Sequence, residues 1–181
     1  MMLKQYLKNN KPLKVKRGSF TTCYVFDNNV LLKSRDVVKE CIANGWFPDS
    51  EHLPEIARCN LEADDSYNTR CYESPRYVTN RSVKSIVCEK DYHEIYLPLV
   101  KMFKDAPWHG LSHGERQIEF HTAIDCSTVR DDIKGIIKDC YDALLSYDHC
   151  VGFEISPRNV AATQPGTLIL LDCFYIVTHL H

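Results

Sequence analysis

Apolar and polar positions from Leu13 to Lys33 predict a strand, a turn and a second strand through Cys23-Tyr24-Val25-Phe26. A tight Asp27-Asn28-Asn29 turn and a third strand, Val30-Leu31-Leu32-Lys33, follow. From Asp36 the period changes. Val37, Val38, Cys41 and Ile42 recur at helical spacing, with Asp36 as a start signal and Gly45 as a stop. Two short extended pieces, Ile56 to Cys59 and Thr69 to Glu73, flank a polar stretch around Asn60 to Asn68. With the meander they predict a five-stranded antiparallel sheet carrying one helix and closed at Pro75.

The pattern is weaker between Val83 and Ile124, where Tyr92 to Lys104 reads as helix and Asp105 to Gly114 as a Pro-, Gly- and His-containing loop. It sharpens at Ser127-Thr128, read as the cap of a helix whose Asp131 and Asp132 sit near the positive end of its dipole. Val129, Ile133, Ile136, Ile137, Cys140, Tyr141 and Leu144 give that helix a continuous apolar face. It ends near Tyr147 to Cys150. A turn from Gly152 to Val160 then leads past Pro165-Gly166 into an apolar strand, Leu168-Ile169-Leu170-Leu171, ending on Asp172. There is no internal repeat and no low-complexity tract.

Composition narrows the setting. A length of 181 residues suits one globular domain, built as one core or two lobes. A formal net charge of −2 supplies no global attraction for nucleic acid or an anionic membrane, although Lys4, Lys8, Lys11, Lys14, Lys16 and Arg17 make the start locally basic. The nine cysteines are scattered, odd in number and without a C-x-x-C pair. Together with a charged start lacking an apolar leader, they predict reduced thiols and a cytoplasmic location. No apolar run is long enough to span a bilayer. His109, His113 and His121 suggest a zinc site only if their segment is helical; Gly110 and Gly114 favour an exposed loop, and no cysteine has ligand spacing. His149 and Cys150 are sequence neighbours without an orienting third group, so they are not read as a nucleophilic pair.

The residues that carry chemistry lie in the last third. Phosphoryl transfer from a nucleotide needs a cation on the phosphates, ligands for magnesium, and a carboxylate near the acceptor hydroxyl. Glu154 precedes Asn159 by five residues, Pro157 lies between them, and Asp172 follows Asn159 by thirteen. In this the chain resembles the protein-kinase family, whose catalytic loop places a carboxylate five residues before an asparagine, after a long helix and before a metal-binding Asp. The likeness spans about Leu13 to Ile176 and is nearest to minimal kinases: the early kinase of T-seven-like bacteriophages and the short effector kinases of enteric pathogens.

The resemblance implies an α+β, minimal protein-kinase-like two-lobe fold, with an antiparallel N-lobe sheet and one helix (about 13–76) and a truncated helical C-lobe (about 77–181). It implies ATP and magnesium as cofactors and a host protein as substrate or inhibited target, with no membrane partner. Lys33 would contact the phosphates, as the lysine of the V-A-I-K strand does. Gly18 and Ser19 would stand in the glycine-rich loop, Glu40 would pair with Lys33, and Glu73 and Ser74 would form the adenine hinge. Asn159 and Asp172 would hold the metal, and Glu154 would orient the hydroxyl.

The departures point to an alternative. Glu154 replaces the family's Asp, and its extra methylene moves the carboxylate by roughly 1.5 Å, which near-attack geometry does not tolerate well. Gly152 and Phe153 replace the usual His and Arg, the glycine loop keeps only Gly18, and Cys173-Phe174 follow Asp172. The alternative is a catalytically impaired pseudokinase that binds and inhibits a host protein.

Overall fold

An antiparallel sheet forms where the alternating pattern predicts it. In this computed structural model residues 1–63, 68–106, 111–147 and 151–176 are described, without the side chain of His113. The chain is mixed α+β and divides into two compact units, Met1–Trp46 with Pro54–Arg76, and Phe47–Leu53 with Tyr77–His181.

The first unit comprises α1 (Leu3–Asn9), β1 (Lys14–Arg17), β2 (Thr21–Val25), β3 (Asn29–Ser34), α2 (Val37–Ala43), β4 (Ala57–Arg58) and β5 (Arg70–Pro75). Its sheet runs in the order β1-β2-β3-β5-β4, every pair antiparallel. Residue parity separates two apolar faces. On one, Leu31 and Cys71 pack with Leu3, Tyr6 and Leu7 of α1 and with Tyr24 and Phe26. On the other, Leu32 and Tyr72 pack with Ile42 and Ala43 of α2 and with Ile56.

The helix α1 was not expected, although Leu3, Tyr6 and Leu7 have helical spacing. Seven residues do not hold a helix in water. Burial of Leu3 and the backbone bonds Leu3 N–H to Glu62 O, 2.9 Å, and Glu62 N–H to Met1 O, 3.1 Å, hold it here. The predicted ends of α2 are present. Asp36 Oδ1 accepts from Val38 N–H at 3.0 Å, and Gly45, at φ 73°, closes the helix while Trp46 N–H reaches Cys41 O at 3.0 Å.

The second unit contains α3 (Glu89–Asp91), which continues through a π turn (Tyr92–Tyr96) into α4 (Leu97–Asp105), then α5 (His113–Cys126) and α6 (Asp131–Leu145). Four short strands follow, β6 (Val151–Phe153), β7 (Ala161–Ala162), β8 (Leu168–Ile169) and β9 (Phe174–Ile176). They pair as β6 with β9 and β7 with β8. Ile133, Ile137, Cys140, Tyr141 and Leu144 of α6 are all buried, as its apolar face requires. Phe120 of α5 stacks on Tyr141 at 4.1 Å, and Phe153 meets Phe174 at 5.2 Å. Phe120 also meets Phe153 at 5.6 Å, which joins α5 to β6.

Three local expectations are corrected. His113 and Gly114 belong to the first turn of α5, not to a loop, because Ser112 and Glu115 form a reciprocal capping box. Ser127-Thr128 does not cap α6. Ser127 ends α5, with its Oγ donating to Ile124 O at 2.7 Å, and α6 begins only at Asp131, after the buried Val129. The strand before Asp172 is confined to Leu168–Ile169, and Asp172 itself lies exposed in a bend. Among the described residues no helix is long and apolar enough to cross a membrane.

Candidate functional site

In the second unit the backbone gathers the three residues singled out by spacing. Glu154 follows β6, and its N–H donates to Cys173 O at 2.8 Å, extending the β6–β9 pairing by one residue. A turn then forms over Ser156 to Asn159, closed by Asn159 N–H to Ser156 O at 3.0 Å. Asn159 O accepts from Asp172 N–H at 2.9 Å and from Cys173 Sγ at 3.4 Å, while Asn159 Nδ2 donates to Glu154 O at 3.4 Å. The strand side of the loop is anchored by fully buried Val160, Ala161 and Ala162. Glu154 and Asp172 are exposed and Asn159 half-buried.

Chemically this is an oxygen site. Asn159, whose Nδ2 is engaged, also carries Oδ1, and the neighbouring Asp172 carries a carboxylate. They suit magnesium, which keeps several waters and takes phosphate oxygens in place of a full protein cage. Among the described residues no cluster of three His, Cys, Asp or Glu side chains forms a metal cage.

Gly152, noted above only as a departure, has a structural reason. It faces Tyr175 across the β6–β9 pair, and a Cβ at Gly152 would run into the Tyr175 ring. Burial raises the Tyr175 phenol above its ordinary pKa, and the nearby Glu154 charge adds to the effect. Tyr175 thus lies opposite Gly152, two positions before the candidate carboxylate, a placement that spacing did not reveal.

A second group missed by sequence reasoning holds the strand that delivers Asp172. His52 is buried, with Nδ1 at 2.9 Å from Leu168 O, so that nitrogen carries the proton. Its Nε2 faces Arg130 Nη2 at 3.0 Å. Leu170 N–H donates to His52 O at 2.8 Å, and Leu168 N–H to Asp91 Oδ2 at 3.0 Å. Arg130 also approaches Asp91 at 3.5 Å and binds Asp132 at 2.7 Å. Its hydrogen bond to Asp132 raises the guanidinium pKa further against partial burial, with Asp132, Asp91 and Glu94 adding their charges. His52 and Leu168 are far apart in sequence, and no local pattern signals the contact.

The candidates in the first unit are placed differently. Lys33 stands opposite Thr22 and Cys71 in the sheet, on the face that carries α1, and lines a cleft with Leu3 and Leu7. Glu40 belongs to α2, which packs on the other face, and its Oε1 meets Arg58 Nη2 at 2.6 Å. The structure brings Glu40 to Arg58 and Lys33 to α1. Gly18 and Ser19 form the exposed β1–β2 turn, in which Gly18 N–H donates to Thr21 O at 2.8 Å and so is already engaged. Glu73 lies in β5 and accepts from Asn29 Nδ2; Ser74 is buried beside it. Of the other residues considered, His121 binds Asp142 at 2.9 Å, and His109, His149 and Cys150 lie outside the described residues.

No protein-family model matches the chain, and no curated protein is significantly similar to it.

Proposed function

We propose that the chain is an atypical, kinase-like Ser/Thr phosphotransferase that uses ATP and magnesium to modify a host protein in the host cytoplasm, and that it is phage-encoded. The observation that carries this reading is the 2.9 Å bond from Asp172 N–H to Asn159 O, which holds the backbones of these two oxygen-bearing residues together next to the turn that follows Glu154. The α+β organisation supports it, as do the five-stranded sheet with its helix between β3 and β4 and the paired short strands around the turn. Asn159 and Asp172 would hold magnesium, which supplies charge neutralisation on the phosphates when bound. Glu154 would accept the hydroxyl proton as the substrate oxygen bonds to the γ-phosphorus and the bond to the departing ADP breaks. Lys33 is the candidate cation for the phosphates. The test is transfer of label from γ-labelled ATP to a captured host protein. Transfer that persists unchanged in Asp172→Asn sinks the reading.

A second reading, a pseudokinase that binds and inhibits a host protein, is favoured by one observation. Glu40 is engaged by Arg58, and Lys33 lies on the face opposite α2, so the lysine–glutamate pair that an active kinase needs is not assembled. Inhibition of the host target that survives the double change Lys33→Ala with Asp172→Ala supports this reading; its loss counts against it.

A further inference from the structure

We propose that Cys59 and Cys71 form a thiol–disulfide site in the first unit, which reacts with a small-molecule disulfide of the glutathione class and closes to a bridge between β4 and β5.

The site follows from strand register. Ala57 stands opposite Glu73 and Arg58 opposite Tyr72, so Cys59 falls opposite Cys71, and Cys59 N–H donates to Cys71 O at 3.2 Å to continue the pairing. Directly opposite residues of antiparallel strands have Cα atoms roughly 4.5–5.5 Å apart, inside the roughly 4.4–6.8 Å that a disulfide spans. Their side chains also leave the sheet on one face. Both cysteines accordingly pack in the cluster of Leu3 and Leu31, on the side covered by α1. Both are free thiols, Cys59 partly exposed and Cys71 buried, and a hydrogen bond joins the two side chains.

The two thiols differ as the chemistry requires. The Cys71 S–H donates to the Cys59 sulfur and is the chief reason that the Cys59 pKa falls to about 7; burial and the Glu73 charge oppose it, and the Leu61 N–H adds to it. Cys59 therefore carries thiolate at neutral pH, and its partial exposure lets a small reagent reach it. In the first step the Cys59 thiolate attacks one sulfur of the small disulfide, which forms a mixed disulfide and expels a small thiolate. In the second, the Cys71 sulfur attacks Cys59 Sγ. The mixed S–S bond breaks, and the second small thiolate leaves with the Cys71 proton. The chain has then lost two electrons and the reagent gained them. Because the second step is intramolecular between adjacent side chains, the mixed disulfide is short-lived. At a low ratio of disulfide to thiol the pair stays reduced. The bridge ties the two-residue edge strand β4 covalently to β5. Neither cysteine takes part in the phosphotransferase reading, so the two stand or fall separately.

The test incubates the folded full chain with a series of glutathione and glutathione disulfide ratios, blocks the remaining thiols, and maps tryptic peptides by mass. Arg58 and Arg70 immediately precede the two cysteines, so cleavage gives peptides 59–70 and 71–76 with one cysteine each. These two are expected as a linked pair at the oxidised end of the series, reversed by dithiothreitol. Cys71→Ser should lose the bridge and accumulate glutathione on Cys59, and Cys59→Ser should lose both products, since Cys71 is buried. The melting temperature of the parent chain should rise on oxidation and that of neither variant should. Circular dichroism confirms that the variants keep the fold. Absence of the linked pair from the parent chain, or a bridge from either cysteine to a different one, overturns the proposal. A folded Cys71→Ser chain that takes no glutathione on Cys59 overturns it as well.

Discussion

The main-chain N–H of Asp172 donates to the carbonyl of Asn159 across 2.9 Å, holding together two residues thirteen apart in sequence. Because the bond is made by backbone atoms, either side chain can be replaced without breaking it. Asp172→Asn should therefore keep the fold, read by circular dichroism, while removing stabilisation by ATP with magnesium, read by thermal shift. Transfer should fall by roughly a hundredfold, the scale of losing one preorganised electrostatic contact.

Glu154 emerges from the same turn with an exposed carboxylate. Shortening it by one methylene draws the oxygen back by roughly 1.5 Å. Glu154→Asp is expected to raise the transfer rate, and Glu154→Gln to lower it; both are read in the labelled-ATP assay. A lower rate in Glu154→Asp would mean that the longer side chain is the fitted one.

Gly152 is packed against the Tyr175 ring, and any Cβ there overlaps it. Gly152→Ala should destabilise the chain by about 1–3 kcal/mol, the usual cost of overpacking. Tyr175→Ala in the same chain should recover part of the loss, giving a coupling that a double-mutant denaturation cycle measures. Additive effects would show that the ring moves aside freely.

The carboxylate of Asp91 is buried and accepts from Leu168 N–H. Asp91→Ala leaves that amide without its partner and should cost about 1–3 kcal/mol in chemical denaturation. His52→Ala removes the donor to Leu168 O and should have a similar effect.

Cys59 is the thiol whose reactivity should stand out. A side-chain hydrogen bond with Cys71 lowers its pKa to about 7, against partial burial. The thiolate is the nucleophile, so alkylation at Cys59 should rise through pH 7 and level off above it. Cys71→Ala removes the bond and should move that midpoint upward. Cys140 offers an internal contrast. Burial pushes its pKa far up, so it should stay unlabelled in the folded chain at every pH of the series.

Local physics explains how much of this was legible in the residues alone. The meander from Lys14 to Ser34, the helix between Asp36 and Gly45, and the apolar face of α6 depend on alternation, caps and helical spacing. These are properties of neighbouring residues, and so they are readable without the fold. The backbone also brings Glu154, Asn159 and Asp172 near one another, through Asn159 Nδ2 to Glu154 O and Asp172 N–H to Asn159 O. The start of α5 was equally local, written in Ser112 and Glu115, and was overlooked among the glycines and histidines around it.

What each face of an element meets is settled by long-range packing. Parity puts Lys33 on the side of the sheet opposite Leu32, but which helix covers that side depends on distant packing: α1 covers it, and α2 takes the other. Glu40 consequently meets Arg58. His52 reaches Leu168, and Tyr175 fills the space above Gly152, through contacts between residues distant in sequence. A strand's pattern specifies two faces and a helix's pattern one stripe. Neither specifies the partner, because that choice is made by apolar area and hydrogen bonds supplied from elsewhere in the chain.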